Sequence, residues 1–134
     1  MRRCVLDSYA VLAFLFREAG HEKILDLMEK AAHSDEPLLI AAPNWAEVRY
    51  MIERRAGPGR WAEVREKLLG LPIEIVTADQ LLAEIAGEFK AAKRMSLADC
   101  FAAALAKQRK ADVATGDPEF KAVEDEIKIL WLRP

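Results

Sequence analysis

Histidine and cysteine are scarce in this chain of 134 residues, with two of each. Cys4 and Cys100 are far apart and match no metal or redox spacing, so a disulfide framework and a zinc site are both excluded. His21 and His33 suggest no Ser or Cys partner, which gives a histidine-based nuclease little weight. Long apolar runs are also missing. The longest reach about seven residues, such as Ala10 to Phe16, against the 20 that a membrane span needs. Asp7 interrupts the first apolar stretch, so no signal peptide is expected and the expected setting is a reducing cytoplasm. No internal repeat and no Gly- or Ser-rich linker divides the chain, and one domain over residues 1–134 is expected. An excess of one charge is absent too. Twenty Lys and Arg face twenty-two Asp and Glu, a net charge of −2. General coating of a polyanion is therefore excluded, whereas a local basic surface or a metal-neutralised acidic site is not.

What is present is a strong alternation of strand and helix patterns. Short apolar runs at Arg3–Leu6, Leu38–Ala41, Ile73–Val76, Asp112–Thr115 and Ile127–Leu132 read as five buried strands. Between them lie amphipathic helical stretches. The first spans Ser8–Arg17 and the second His21–Ala32. A third runs from about Trp45 to Arg55, and a fourth holds Trp61, Val64 and Leu68. A fifth is capped by Thr77 and a sixth is opened by Ser96. Strands alternating with helices imply an α/β sandwich around a mostly parallel sheet, with helices on both faces.

Four acids stand at related places. Asp7 follows the first strand, and Glu47 lies early in the helix after the second. Asp99 lies in the first turn of the sixth helix, and Asp117 follows the fourth strand. Ligands of open parallel sheets bind beyond the carboxyl ends of the strands. Each acid also has a purely structural explanation. Asp7 suits a helix N-cap, Glu47 and Asp99 look like capping-box partners of Asn44 and Ser96, and Asp117 before Pro118 is an ordinary turn. Taken together, the four would repel one another unless protons or a cation neutralise them. A donor set of oxygens without His or Cys suits Mg²⁺ or Mn²⁺, which is the chemistry of phosphodiester cleavage.

Four segments carry a resemblance. They are Val5-Leu6-Asp7-Ser8-Tyr9-Ala10, Asn44-Trp45-Ala46-Glu47-Val48, Ser96 through Ala106, and Ala114-Thr115-Gly116-Asp117-Pro118-Glu119-Phe120. In order and separation they resemble the signatures of PIN-domain ribonucleases, and the chain length is similar to that of the VapC toxins of type II toxin–antitoxin modules. The resemblance implies a PIN-like three-layer sandwich with a five-stranded sheet. It implies a pocket for one or two Mg²⁺ or Mn²⁺ ions held by Asp7, Asp99 and Asp117, with Glu47 holding or helping to activate a water. Ser8 and Thr115 would orient the carboxylates. The implied activity is endonucleolytic hydrolysis of single-stranded RNA. The implied partners are a VapB-like antitoxin, able to insert an Arg or Lys into the pocket, and a second copy of the chain. Two positions depart from the usual pattern. Asn44 stands where Ser or Thr is frequent, and Glu119 stands where many members have a second Asp.

Basic residues are unevenly spread. Lys90 to Lys110 carries a net +5 and Asp112 to Lys128 a net −4. Lys90, Lys93 and Arg94, just before Ser96, could contact RNA phosphates, or could simply be a solvated helix end. The acidic stretch is expected to face elsewhere. Helices three and four, rich in Trp, Met and Val, would suit a groove for an antitoxin helix. Two other function classes fit an acid after the first strand. One is an aspartyl-phosphate phosphatase or phosphoacceptor, although Tyr9 stands where the phosphatase pattern wants a second Asp. The other is a non-catalytic PIN-like binding module, against which the intact acids argue.

Overall fold

The computed structural model describes residues 2–133, so the two outermost residues of the expected domain lie outside the described residues. The strands are β1 (Cys4–Leu6), β2 (Leu38–Ala41), β3 (Ile73–Val76), β4 (Asp112–Thr115) and β5 (Ile129–Trp131). The helices are α1 (Ser8–Leu15), α2 (His21–Ser34), α3 (Ala42–Ala56), α4 (Pro58–Leu69), α5 (Gln80–Ala92) and α6 (Leu97–Arg109). A 3-10 helix spans Pro118–Val123.

The sheet order is β3-β2-β1-β4-β5, and every neighbouring pair is parallel. The expected mostly parallel sheet is thus wholly parallel. The two-residue period of a strand sorts the core into two halves. Val5, Leu39 and Val113 pack with α5, α6 and the 3-10 helix on one face. Cys4, Leu6, Leu38, Ile40 and Ala114 pack with α1 to α4 on the other. This is the expected three-layer sandwich. A strand covered on both faces needs no polar side, which is why β1 and β2 read as continuous apolar runs.

Most elements fall where the periodicity puts them within a few residues, and three differences bear on the architecture. α5 is capped by Asp79, not Thr77: the Asp79 carboxylate accepts a hydrogen bond from Leu82 N at 2.9 Å. α3 begins at Ala42 with Pro43 in its first turn, because the preset φ of proline suits a helix start. Asn44 is therefore inside the helix and caps nothing. β5 is shorter than the apolar run that contains it, ending at Trp131. Gly20, at φ +92°, opens α2 where a Cβ would lie 2.4 Å from the Leu132 carbonyl oxygen, so only glycine lets the helix start against the end of the sheet.

The chain builds β1, β2 and β3 outward in one direction, then returns to place β4 on the other side of β1. The crevice at such a reversal, beyond the carboxyl ends of β1 and β4, is where open α/β sheets bind ligands.

Candidate metal centre and cleft

A cleft of about 450 Å³ opens at that reversal. Asp7, Glu47, Asp99 and Asp117 all line it, with Glu18 and Glu119 beside them. Four segments separated by up to 110 residues thus meet at one sheet edge.

Each acid is aimed by short-range hydrogen bonds. Asp7 caps α1, and its Oδ1 accepts from Ala10 N at 2.8 Å. Its Oδ2 accepts from Thr115 Oγ1 at 2.5 Å, and Thr115 Oγ1 in turn accepts from Asp117 N at 3.0 Å. Thr115 therefore stitches the end of β1 to the turn after β4. The Ser8 hydroxyl donates to Glu47 Oε1, and the Tyr50 hydroxyl donates to Glu47 Oε2 at 3.4 Å. Ser8 and Thr115 thus each hold a carboxylate of the cleft. Asp117 caps the 3-10 helix by accepting from Glu119 N at 2.9 Å.

The two capping boxes read from the sequence turn out differently. Asn44 Nδ2 donates to the Ala98 carbonyl at 3.1 Å, which ties α3 to the first turn of α6. Glu47 is left free to face the cleft. Ser96 does cap α6, accepting from Asp99 N at 3.2 Å. The acceptor for Ser96 N is Glu119 Oε1 at 2.9 Å, not Asp99. Glu119 takes over the reciprocal half of the box from 23 residues away. This releases the Asp99 carboxyl and draws Glu119 in beside it.

Asp99, Asp117 and Glu119 each offer a carboxylate oxygen, and these atoms all lie within 4.8 Å of one another. Asp7 and Glu47 line the same cleft but stand outside this tight group. Burial pushes the Asp99 carboxyl up to about 9, helped by its hydrogen bond to Glu119 and by the charges of Asp7 and Asp117. Glu119 is held below its ordinary range by the Ser96 N–H and by Asp99. Burial and the neighbouring carboxylates thus favour the protonated form of Asp99 in the metal-free cleft. Burial also raises Asp7 to about 7, against the pull of its hydrogen bonds to Thr115 and Ala10. Crowded carboxyls that hold protons at neutral pH are the chemistry a hard divalent cation relieves, and the all-oxygen donor set fits such an ion. Neither histidine lines the cleft: His21 and His33 each bond a nearby backbone carbonyl.

Glu119 is the site residue that spacing alone leaves open. Its signal in the sequence is only its place two residues after Asp117. The expected phosphate contacts Lys90, Lys93 and Arg94 do not line the cleft. Lys90 Nζ donates to the Met95 carbonyl at 2.7 Å. Lys93 Nζ lies 4.0 Å from Glu126, which is also 3.7 Å from Lys107 Nζ. The −4 stretch therefore meets the +5 stretch instead of facing elsewhere. Arg94 is exposed. The cations that do line the cleft are Arg55 and Arg133, resting over the rings of Phe16 at 4.8 Å and Tyr9 at 5.6 Å. On α3 and α4, Trp45 and Trp61 meet edge to face with centroids 5.3 Å apart, and Trp61 is buried in the core.

Fold and cleft together define an α/β protein with a carboxylate-lined site at the switch point of a parallel sheet. The PIN-domain family profile matches residues 4–126, and the chain belongs to the PIN-domain family. No curated protein matches the chain in sequence. Among solved structures, the chain is similar to DNA-bound VapBC from Salmonella typhimurium, with a TM-score of 0.75, 19% identity and coverage of 99% of this chain and 100% of that one. It is similar to FitAcB from Neisseria gonorrhoeae at a TM-score of 0.68 and 22% identity, covering 96% and 97%. It is also similar to VapC20 of Mycobacterium tuberculosis, described as a toxin that cleaves the sarcin–ricin loop, at a TM-score of 0.66 and 16% identity, covering 90% and 94%. No helix among the described residues is long and apolar enough to cross a membrane.

Proposed function

We propose that this PIN-domain protein is a Mg²⁺- or Mn²⁺-dependent endoribonuclease of the VapC toxin type. The observation that carries the reading is the convergence of Asp7, Glu47, Asp99, Asp117 and Glu119 on one cleft, with three of their oxygens within 4.8 Å of one another. Asp99, Asp117 and Glu119 would hold the cation, with Asp7 behind them. Bound there, a divalent ion supplies charge neutralisation for a phosphodiester and lowers the pKa of water. The protein's own part is to aim and to move protons. Thr115 locks Asp7 and the Asp117 turn in one frame. Glu47, oriented by Ser8, faces the same cleft from α3, where it would hold the attacking water or help to activate it. Arg55 and Arg133 stand at the rim, where RNA phosphates on either side of the cut would pass.

An aspartyl-phosphate mechanism fits less well. Both Asp7 oxygens already accept hydrogen bonds and the residue is 1% exposed, so neither is presented to an incoming phosphate. A VapB-like antitoxin, a homodimer and a cytoplasmic setting belong to the same reading. Likeness to VapBC complexes and an acidic pocket that a partner's Arg or Lys could fill support the first of these.

The test is incubation of the protein with single-stranded RNA in Mg²⁺, Mn²⁺ or EDTA. Cleavage with either metal, lost in EDTA and in Asp99→Asn, is expected. Metal-independent cleavage, or an Asp99→Asn variant as active as wild type, refutes it. Turnover of small phosphate esters without RNA cleavage would point to a phosphatase.

A further inference from the structure

A second hollow lies beside the acidic cleft. Its volume is about 480 Å³, and Gly116, Pro118, Lys121, Trp131 and Arg133 line it. Arg133 also lines the acidic cleft, so the two hollows share a wall. At their junction the Tyr9 ring packs on Gly116: a Cβ there would lie 2.3 Å from Tyr9 Cε1. The Arg133 guanidinium rests 5.6 Å over the same ring.

The lining of the second hollow differs in chemistry from the first. Trp131 ends the edge strand β5, in register with Thr115, so it stands level with the acids at the carboxyl end of the sheet. Its ring packs partly on the core, and its Nε1 donates to Glu124 Oε2 at 2.9 Å, which fixes the ring while leaving it half-buried. Lys121, on the 3-10 helix, is exposed. A fixed aromatic ring flanked by two cations is the combination that takes an unpaired base with its phosphate, because every base has a stacking face and every nucleotide a charge. The volume lies within the range of small-ligand sites.

We propose that Lys121, Trp131 and Arg133 form a nucleotide subsite, contiguous with the acidic cleft, that receives an unpaired base and phosphate of RNA adjoining the cut. The inference rests on the nuclease reading above and adds where the substrate extends. The chain leaves the acids past Arg133, one base stacks on Trp131, and Lys121 takes the next phosphate. Duplex RNA, whose bases are already stacked on one another, is excluded from this subsite.

The experiment uses the full chain and an unstructured single-stranded RNA oligonucleotide of about eight nucleotides, a length within the range such grooves bind. Binding is followed in EDTA by tryptophan fluorescence over a salt series, and cleavage in Mn²⁺ by initial rates. Wild type is expected to show quenching on binding, and a duplex of the same sequence none. Lys121→Ala should lower the salt slope by about 0.7 and raise KM with kcat unchanged. Trp131→Ala should weaken binding about tenfold. Trp131→Phe should restore affinity while abolishing the quench, which separates stacking from mere packing. If wild type cuts RNA but Lys121→Ala and Trp131→Phe match it in salt slope, KM and quench, the subsite is refuted and the nuclease reading stands. Equal quenching by the duplex also refutes it. If wild type neither binds nor cuts single-stranded RNA, the nuclease reading fails and takes the subsite with it.

Discussion

Asp7→Asn should make the metal-free protein more stable while abolishing its activity. Asp7 is 1% exposed, and burial lifts its pKa from the ordinary 3.8 to about 7. At 1.36 kcal/mol per unit, that rise is worth about 4 kcal/mol. A carboxyl raised in the folded state binds its proton more tightly there than in the unfolded chain. No penalty exists below the unfolded value; it grows as pH climbs from about 4 and is complete above about 7. Asparagine has no charge to bury and escapes the penalty. Its amide still offers an oxygen to Ala10 N, but it gives Thr115 Oγ1 no acceptor in place of Asp7 Oδ2. That lost bond costs about 1 kcal/mol and leaves a net gain of about 3 kcal/mol at pH 8. For a domain of this size the gain is about 10 °C in Tm. Thermal melts of both proteins in EDTA, from pH 4 to pH 8, provide the assay. The variant should be equal or slightly weaker at pH 4, and its advantage should grow steadily with pH. A difference that stays flat across this range, or a variant less stable than wild type at pH 8, would refute the reasoning that burial raises Asp7.

Uptake of Mn²⁺ should expel protons, because Asp99 and Asp7 are raised to about 9 and about 7 in the metal-free cleft. Calorimetry at pH 7 in two buffers of different ionisation enthalpy should show net proton release, about one to two per ion, with affinity rising as pH increases; release of none would contradict the cluster. Glu119→Gln keeps an acceptor for Ser96 N but removes the charge beside Asp99, so Mn²⁺ affinity should fall about tenfold or more while Tm changes little. Gly116→Ala should displace the Tyr9 ring and lower cleavage more than stability, read from rates and melts on one preparation. Asn44→Ala removes the bond to Ala98 from a fully buried position and should cost about 1–3 kcal/mol in denaturant unfolding.

The sequence by itself determined the elements and where the acids stand relative to them. Apolar runs and helical periods place the five strands and six helices, because burial and hydrogen bonding act over a few residues. Acids after the first and fourth strands, without His or Cys, already raise the expectation of a hard-cation site. What only the tertiary structure decided is which partner each polar group takes. Local spacing makes Asp99 the partner of Ser96 and Glu47 the partner of Asn44. In the fold, Glu119 takes Ser96 N and Ala98 takes Asn44, so both acids are released to the cleft. The basic stretch before Ser96 looks available in sequence, yet Lys90 and Lys93 are engaged by Met95 and Glu126. Arg55 and Arg133, nearly eighty residues apart, reach the cleft instead. The reason is the sheet order β3-β2-β1-β4-β5, which sets the end of β1 beside the end of β4 and brings residues together that no local rule connects. Short-range forces write the elements; the crossing of the chain decides which side chains meet.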